Sequence, residues 1–246
     1  MKKIYIVAMA TLVSVACKDT KKENKVVVEE AKEVIAEETV NDQWEYLFDG
    51  TSTDGWRGYN SETLPESWVI EDGMLKSLGK GGDIGGDIIY GDKRYGEFEL
   101  SVEWKISEGG NSGLFYHVVE GEQYEAPYFN APEYQMIDQV GFPQKLEAWQ
   151  SIGADYGMYD PDYEGVLKKA GEWNTTRIVF TNKKVTYWLN GKKTVEFVPW
   201  SDDWQKRKET GKWKDYPHYG KAKTGYIGLQ DHGSFIWFKN VKIKEL

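Results

Sequence analysis

The chain has 246 residues, a formal net charge of -9 at pH 7 and an aromatic content of 15%. A surplus of acidic side chains repels a phosphate backbone, and no stripe of Lys and Arg stands out, so the composition argues against nucleic acid as a partner. All eleven Trp lie from Trp44 onward, which places the start of the folded part near that residue. Residues 44–246 are long enough for one large all-β domain.

The N-terminal residues resemble the export signal of a bacterial lipoprotein. Two lysines precede the apolar run 4–16, which is too short to span a bilayer as a permanent helix. The single cysteine, Cys17, directly follows that run, as the acylated cysteine of a lipobox does. We therefore predict a signal peptide over 1–16 and a lipid anchor on Cys17 that holds the protein in the cell envelope, on the periplasmic or the outer surface. An ordinary signal peptide followed by an incidental cysteine is the alternative.

The segment after the cysteine has the composition of a solvated tether. Residues 18–42 are rich in Lys, Glu and Val and contain no Gly, Pro or aromatic residue. Such a segment has little apolar surface to bury. We predict a flexible charged tether over 17–43 and a folded domain over 44–246.

From residue 44 onward, short alternating segments separated by Gly, Asn and Asp predict an all-β fold. The clearest strand is 98–106, in which five apolar residues alternate with four polar ones, so its apolar face must meet a second layer. Residues 177–197 predict three antiparallel strands with turns at 182–183 and 190–191.

Two further strand patterns, 225–233 and 235–246, close the chain. The segment 199–220 before them is polar and aromatic without clear periodicity, which predicts a long loop of the kind that often carries function. His218 lies in this segment and is predicted to be exposed.

Four predicted strands carry polar side chains opposite their apolar ones. Strand side chains alternate between two faces, so segments 98–106, 112–120, 133–138 and 225–233 each have a polar face. If these strands are neighbours, their polar groups converge. The groups concerned are Glu103, Lys105, His117, Glu133, Gln135, Gln230 and His232.

The residue types on this face favour chemistry over simple solvation. Antiparallel sheets commonly have one wet face, which is the alternative explanation for isolated polar residues. Histidine, however, titrates near physiological pH and suits proton transfer. His117, Glu133 and His232 are possible ligands of a divalent metal, but their spacing diagnoses no metal site, so the cofactor stays open. Asp138 either caps the end of its strand or joins the site.

Six segments together resemble one known family and cover nearly all of the chain from residue 44. They are LFDGTSTDGWRGY (47–59), GEFELSVEWKISEGGNSGLFYHV (96–118), APEYQMID (131–138), AGEWNTTRIVF (170–180), YWLNGKK (187–193) and GYIGLQDHGSFIWFKNVKI (225–243). On these motifs the chain resembles the 3-keto-disaccharide hydrolase family, which is frequent in lipoproteins of Bacteroidetes. The resemblance implies a concanavalin A-like jelly-roll sandwich of two antiparallel sheets with a concave face that binds carbohydrate.

The resemblance also implies cleavage of 3-keto-glycosides by lyase and hydratase steps. A ketone at C3 of the sugar acidifies the proton at C2, so a base can remove it, the group at C1 is expelled, and water adds to the product. These steps need a proton acceptor and fixed groups that stabilise negative charge. We assign the catalytic roles to His117, Glu133 and His232, with His117 or Glu133 as the base.

The remaining polar and aromatic residues are predicted to bind a saccharide substrate. The set comprises Glu103, Lys105, Gln135, Tyr156, Tyr159 and Gln230, of which the tyrosines belong to a loop that resembles a site-lining loop of the family. Three alternatives stay open: a conventional glycosidase with Glu103 and Glu133 as its carboxylate pair, a non-catalytic carbohydrate-binding lipoprotein and a structural envelope protein.

Overall fold

The computed structural model describes residues 43–82 and 86–246. The predicted signal peptide (1–16), the acylated Cys17 and, apart from Gln43, the predicted tether (17–43) lie outside the described residues and stay predictions. Over the part of the chain that is described, no helix is both long and apolar enough to cross a bilayer.

The described residues form antiparallel strands in two sheets, together with one α-helix, α1 (Asp202–Thr210), and two short 3₁₀ helices, Pro127–Phe129 and Ala148–Gln150. In chain order the strands are β1 (Glu45–Phe48), β2 (Trp56–Gly58), β3 (Trp68–Glu71), β4 (Met74–Leu78), β5 (Ile88–Tyr90), β6 (Phe98–Ile106), β7 (Asn111–Val118), β8 (Glu133–Ile137), β9 (Asn174–Thr181), β10 (Lys184–Leu189), β11 (Lys192–Phe197), β12 (Tyr226–Leu229) and β13 (Phe235–Glu245).

The strands pair into an eight-stranded and a five-stranded sheet. The eight-stranded sheet has the order β11-β10-β9-β6-β13-β4-β3, and β1 pairs with β13 as well. The five-stranded sheet has the order β2-β5-β12-β7-β8. Both sheets combine hairpins of sequence neighbours, such as β9-β10-β11 and β7-β8, with pairings of strands distant in sequence, such as β6-β13 and β5-β12. The predicted all-β fold of two antiparallel sheets is confirmed.

The core lies between the two sheets. All five apolar residues of β6 are buried and the residues between them are partly exposed, as the alternation predicts. From the five-stranded sheet, Tyr116 on β7 reaches across the core, and its hydroxyl lies 2.7 Å from the hydroxyl of Tyr187 on β10. Large rings with a satisfied polar end therefore join the two layers.

The predicted strands of 177–197 are confirmed as β9, β10 and β11. The turn between β10 and β11 has positive φ at both Asn190 and Gly191, which the tight two-residue hairpin turn requires. Asparagine and glycine adopt this conformation more readily than other residues, so the dipeptide itself specifies the hairpin.

The prediction of a loop over 199–220 is wrong for residues 202–210, which form α1. Ser201 caps this helix, since its hydroxyl accepts a hydrogen bond from the Trp204 amide at 3.3 Å. Asp202 and Asp203 lie in the first turn and basic residues in the last, which suits the helix dipole. Trp204 is the one buried residue of the helix, so the sequence shows no apolar stripe.

Candidate active site

A polar pocket of about 200 Å³ lies on the outer face of the five-stranded sheet. Strands β7 and β8 and the end of β12 supply its floor, and the segment after α1 covers it together with aromatic side chains from other loops. Its lining residues are Asn111, Tyr128, Glu133, Gln135, Tyr156, Lys212, Trp213, Tyr216, Gln230 and His232.

The pairing of β7 with β8 sets the position of Glu133. In this register Glu133 lies opposite Phe115, and Gln135 lies opposite Gly113, so all four side-chain positions share the outer face. A β-carbon at Gly113 would collide with the Glu133 carboxylate. The glycine therefore provides the space into which the carboxylate folds.

The Glu133 carboxyl group has a strongly shifted pKa. Only 4% of the residue is exposed. Burial, which is the largest cause, and the charge of Asp87 raise the pKa of this group to about 8, while Lys212 acts in the opposite direction. A carboxyl group that titrates near pH 8 can accept a proton from a substrate and return it, which an ordinary exposed glutamate does poorly at neutral pH.

Lys212 provides positive charge at the rim of the pocket. Its Nζ lies 5.2 Å from the ring centroids of both Tyr156 and Trp213. The Trp213 indole donates a hydrogen bond to the Tyr156 carbonyl oxygen at 2.9 Å, which fixes the two rings together. The ammonium group is therefore held over aromatic faces in the same pocket as the Glu133 carboxyl group.

Amide side chains line the floor beside Glu133. The Gln135 amide donates to Asn111 Oδ1 at 3.3 Å and to the Gln150 carbonyl oxygen at 3.2 Å, which fixes its orientation. Gln230 Oε1 is buried and finds no hydrogen-bond partner among the described residues. A buried acceptor without a partner costs free energy, and a hydroxyl group of a bound ligand would satisfy it.

The structure brings five of the predicted site residues together in this pocket: Glu133, Gln135, Tyr156, Gln230 and His232. His232 is half-buried in the pocket and lies two residues after Gln230 in the sequence. The expected convergence of polar groups therefore holds for Glu133 and Gln135 on β8 and for Gln230 and His232, which follow the end of β12.

His117 does not reach the pocket. It has a φ of 57°, and the β7–β12 register shifts next to it, so a bulge interrupts the alternation and turns the ring inward. The ring is 1% exposed, its Nε2 lies 2.9 Å from the Gly96 carbonyl oxygen, and its centroid lies 4.4 Å from that of Phe180. Burial lowers its pKa to about 4, so the ring is neutral at pH 7.

We expect His117→Ala to destabilise the protein and leave the chemistry of the folded fraction intact. Removal of a fully buried, hydrogen-bonded ring leaves a cavity and an unpaired carbonyl oxygen, with a cost of about 2–4 kcal/mol. Urea unfolding measures that cost, and kcat per folded molecule measures the chemistry. A large loss of kcat without loss of stability would return His117 to the catalytic set.

Glu103 and Lys105 do not join the pocket, because β6 belongs to the other sheet. Glu103 accepts a hydrogen bond from the Asn240 side chain at 2.7 Å and pairs with Lys239 at 3.3 Å. Lys105 lies 4.9 Å from the ring centroid of Trp237. The predicted convergence is wrong for these two residues, since alternation identifies a face of a strand and not the sheet to which it belongs.

The predicted substrate-binding residue Tyr159 lies outside the pocket, and so do Asp138 and His218. The Tyr159 ring stacks on Phe197 with centroids 4.5 Å apart, and its hydroxyl donates to Asp203 at 2.9 Å. The Asp138 carboxylate accepts the amides of Gly109 and Gly141, so it caps the end of its strand. His218 is exposed, as predicted.

Sequence reasoning missed half of the pocket: Asn111, Tyr128, Lys212, Trp213 and Tyr216. Three of them lie in the segment that follows α1, where the available signal was a lysine flanked by aromatic residues. No group of three or more His, Cys, Asp or Glu side chains able to hold a metal ion occurs within 43–82 and 86–246.

The two antiparallel sheets define the chain as a concanavalin A-like jelly roll with a polar, aromatic-walled pocket on one sheet. A Bacillus subtilis protein with a galectin-like fold has a similar structure, with a TM-score of 0.50, 14% identity and coverage of 82% of this chain and 94% of that chain. Residues 43–244 match the sequence pattern of the 3-keto-alpha-glucoside-1,2-lyase-like domain, and the chain belongs to this family. The resemblance found in the sequence is thereby confirmed.

Two relatives are similar over most of their length. A 3-keto-disaccharide hydrolase of Bacteroides thetaiotaomicron is 34% identical over 225 residues, which is 81% of this chain and 77% of the relative. The crystal structure of a candidate glycosyl hydrolase from Parabacteroides distasonis is 39% identical, with a TM-score of 0.78 and coverage of 87% of this chain and 98% of that chain.

Proposed function

We propose that this protein is a carbohydrate-active enzyme that cleaves 3-keto-glycosides by removal of the C2 proton, elimination of the group at C1 and addition of water. The observation that carries the proposal is the buried carboxyl group of Glu133, whose pKa lies near 8, in a pocket lined by hydrogen-bonding side chains. Family membership and the name of the 34% identical relative support the same chemistry.

Glu133 is the base in this scheme. The ionised carboxylate takes the C2 proton, the electron pair moves toward the C3 carbonyl, and the C1–O bond then breaks to give an enone and an alcohol. The protonated carboxyl group can return its proton to the departing oxygen. Water then adds to the double bond with the same group accepting and returning a proton.

Lys212 and His232 are the proposed stabilising partners. Negative charge develops on the C3 oxygen when the C2 proton leaves, and fixed donors lower the barrier if they already point at that oxygen. Lys212 supplies a full positive charge. Both N–H groups of Gln135 donate to Asn111 and to the Gln150 carbonyl oxygen, so Gln135 presents its Oε1 as an acceptor for a sugar hydroxyl. Gln230 and Tyr156 would hold the sugar hydroxyls and one ring face.

A paired-carboxylate glycosidase has less support. Retaining and inverting enzymes place two carboxyl groups on either side of the bond, about 5–10 Å apart. Glu103 and Glu133 lie on the outer faces of different sheets, with the core between them. Glu103 is therefore unable to face the same bond as Glu133.

The test is incubation of the purified protein with a panel of 3-keto-disaccharides and their unoxidised parents, with and without a chelator, followed by mass spectrometry and NMR. We expect cleavage of the keto forms alone, with transient appearance of the unsaturated sugar. Chelator sensitivity would add a metal to the scheme. Cleavage of the parent sugars, or binding without any cleavage, would contradict the proposal.

We further propose that Cys17 carries a lipid anchor in the cell envelope of a bacterium, on the periplasmic or the outer surface. The support is the apolar run 4–16 and the position of the single cysteine directly after it. We expect Cys17→Ala to abolish labelling by a fatty-acid analogue and to move the protein from the membrane fraction to the soluble fraction. Unchanged membrane association in that variant would refute the anchor.

A further inference from the structure

A second groove lies beside the candidate active site, and Tyr216 lines both. Its volume is about 510 Å³, larger than the pocket of about 200 Å³ that holds Glu133. We call it the aromatic groove, and its lining residues are Gln123, Tyr124, Phe129, Asp215, Tyr216, Pro217 and His218. Tyr128 lines the pocket, Phe129 lines the aromatic groove, and the rings of both lie within 6.1 Å of the Tyr216 ring, centroid to centroid.

Rings form most of the wall of the aromatic groove. The Phe129 and Tyr216 rings meet edge to face with centroids 5.4 Å apart. The hydroxyl of Tyr124 lies 2.8 Å from His218 Nδ1, and these two rings also meet edge to face. Because these two polar atoms satisfy each other, the groove presents mainly apolar ring surface.

The two neighbouring spaces therefore differ in chemistry. The pocket offers a carboxyl group and amides, such as Glu133, Gln135 and Gln230, which suit a ring that carries many hydroxyl groups. The aromatic groove offers stacking and edge-to-face contacts, which suit a flat apolar group. A molecule that fills both spaces has a sugar at one end and an aromatic ring at the other.

We propose that the aromatic groove binds the leaving group and that the preferred leaving group is an aromatic alcohol. This inference rests on the proposed function, because a leaving group exists only if the pocket cleaves a glycoside. In the elimination step the C1–O bond breaks, the oxygen keeps the electron pair and takes a proton, and the aromatic alcohol stays in the groove until release.

The kinetic test uses two 3-keto-glucosides of the same anomeric configuration, one phenyl and one methyl. We expect KM to be about 2- to 10-fold lower for the phenyl substrate, the range expected for one aromatic contact. Tyr124→Ala should remove that preference and leave the methyl substrate unaffected. Tyr124→Phe should keep it, because the ring and not the hydroxyl packs against the ligand. Equal effects of Tyr124→Ala on both substrates would overturn the inference.

A binding arm separates this inference from the proposed function. Calorimetry with unoxidised phenyl and methyl glucosides needs no turnover, and we expect tighter binding of the phenyl compound that Tyr124→Ala abolishes. Cleavage of both keto substrates without a phenyl preference would refute the assignment of the aromatic groove to the leaving group and would leave the proposed function standing. A phenyl preference in binding without cleavage of either keto substrate would overturn the leaving-group assignment together with the proposed function.

Discussion

Replacement of Glu133 by Gln lowers kcat for 3-keto-glycosides roughly 10²- to 10⁴-fold, the contribution expected of a positioned general base. The same variant keeps or slightly raises the thermal unfolding midpoint at pH 7. Burial raises the Glu133 pKa to about 8, so the folded protein already holds this group largely protonated, and a neutral amide of the same shape replaces it without penalty. Steady-state kinetics and thermal melts on the same preparations measure both effects.

Two further variants sharpen this result. Glu209→Gln alters an exposed glutamate on α1 and should change neither kcat nor the midpoint. Glu103→Gln tests the paired-carboxylate mechanism, and we expect it to keep normal turnover. A loss of kcat in Glu103→Gln as large as that in Glu133→Gln would contradict the assignment of a single buried base.

The pH dependence of turnover follows from the same group. A base must be deprotonated to accept the C2 proton, so kcat/KM should rise tenfold per pH unit below about pH 8 and level off above it. In Glu133→Gln the residual activity should lose this dependence. A plateau that begins near pH 5 would show that Glu133 is not the titrating base.

Asp155→Asn is expected to stabilise the protein at alkaline pH. Asp155 is 1% exposed and lies opposite Tyr134, and both of its carboxylate oxygens are buried with no hydrogen-bond partner among the described residues. Burial raises its pKa well above the ordinary value. The folded protein therefore holds a proton that the unfolded chain releases above about pH 4.

The sign of the effect follows from proton linkage. When the folded state binds one proton more than the unfolded state, the free energy of unfolding falls by about 1.4 kcal/mol per pH unit. In Asp155→Asn this proton is missing. We therefore expect the fall in unfolding free energy with pH, from about pH 4 upward, to be less steep than in the wild type by the contribution of one proton. Urea unfolding over a pH series measures it, with Asp160→Asn as the control at an exposed position. Equal slopes in the wild type and Asp155→Asn would show that Asp155 is ionised in the core.

Local patterns in the sequence were sufficient to predict several of the strands and one hairpin. The alternation over 98–106 identified both the strand and its buried face, and the dipeptide at 190–191 fixed a hairpin, because each depends on a few neighbouring residues. α1 was missed because a helix that buries Trp204 alone carries no apolar period.

The candidate site was predictable in part for the same reason. Alternation identified Glu133 and Gln135 correctly, since β8 runs without a bulge. It failed at His117, where a left-handed backbone reverses the faces, and it failed to separate β6 from β8, because sheet membership depends on long-range pairing. Lys212 is 79 residues beyond Glu133 in sequence, and only the tertiary fold brings it to the carboxylate.

The most direct test of the account is a comparison of 3-keto-glucosides that carry hydrogen or deuterium at C2. If Glu133 removes the C2 proton, the deuterated substrate should react measurably more slowly under conditions in which chemistry limits the rate, and product formed in deuterated water should carry deuterium at C2. Glu133→Gln should lose the exchange at C2. Equal rates for the two substrates under those conditions, with no solvent deuterium at C2 of the product, would contradict proton abstraction as the route of cleavage.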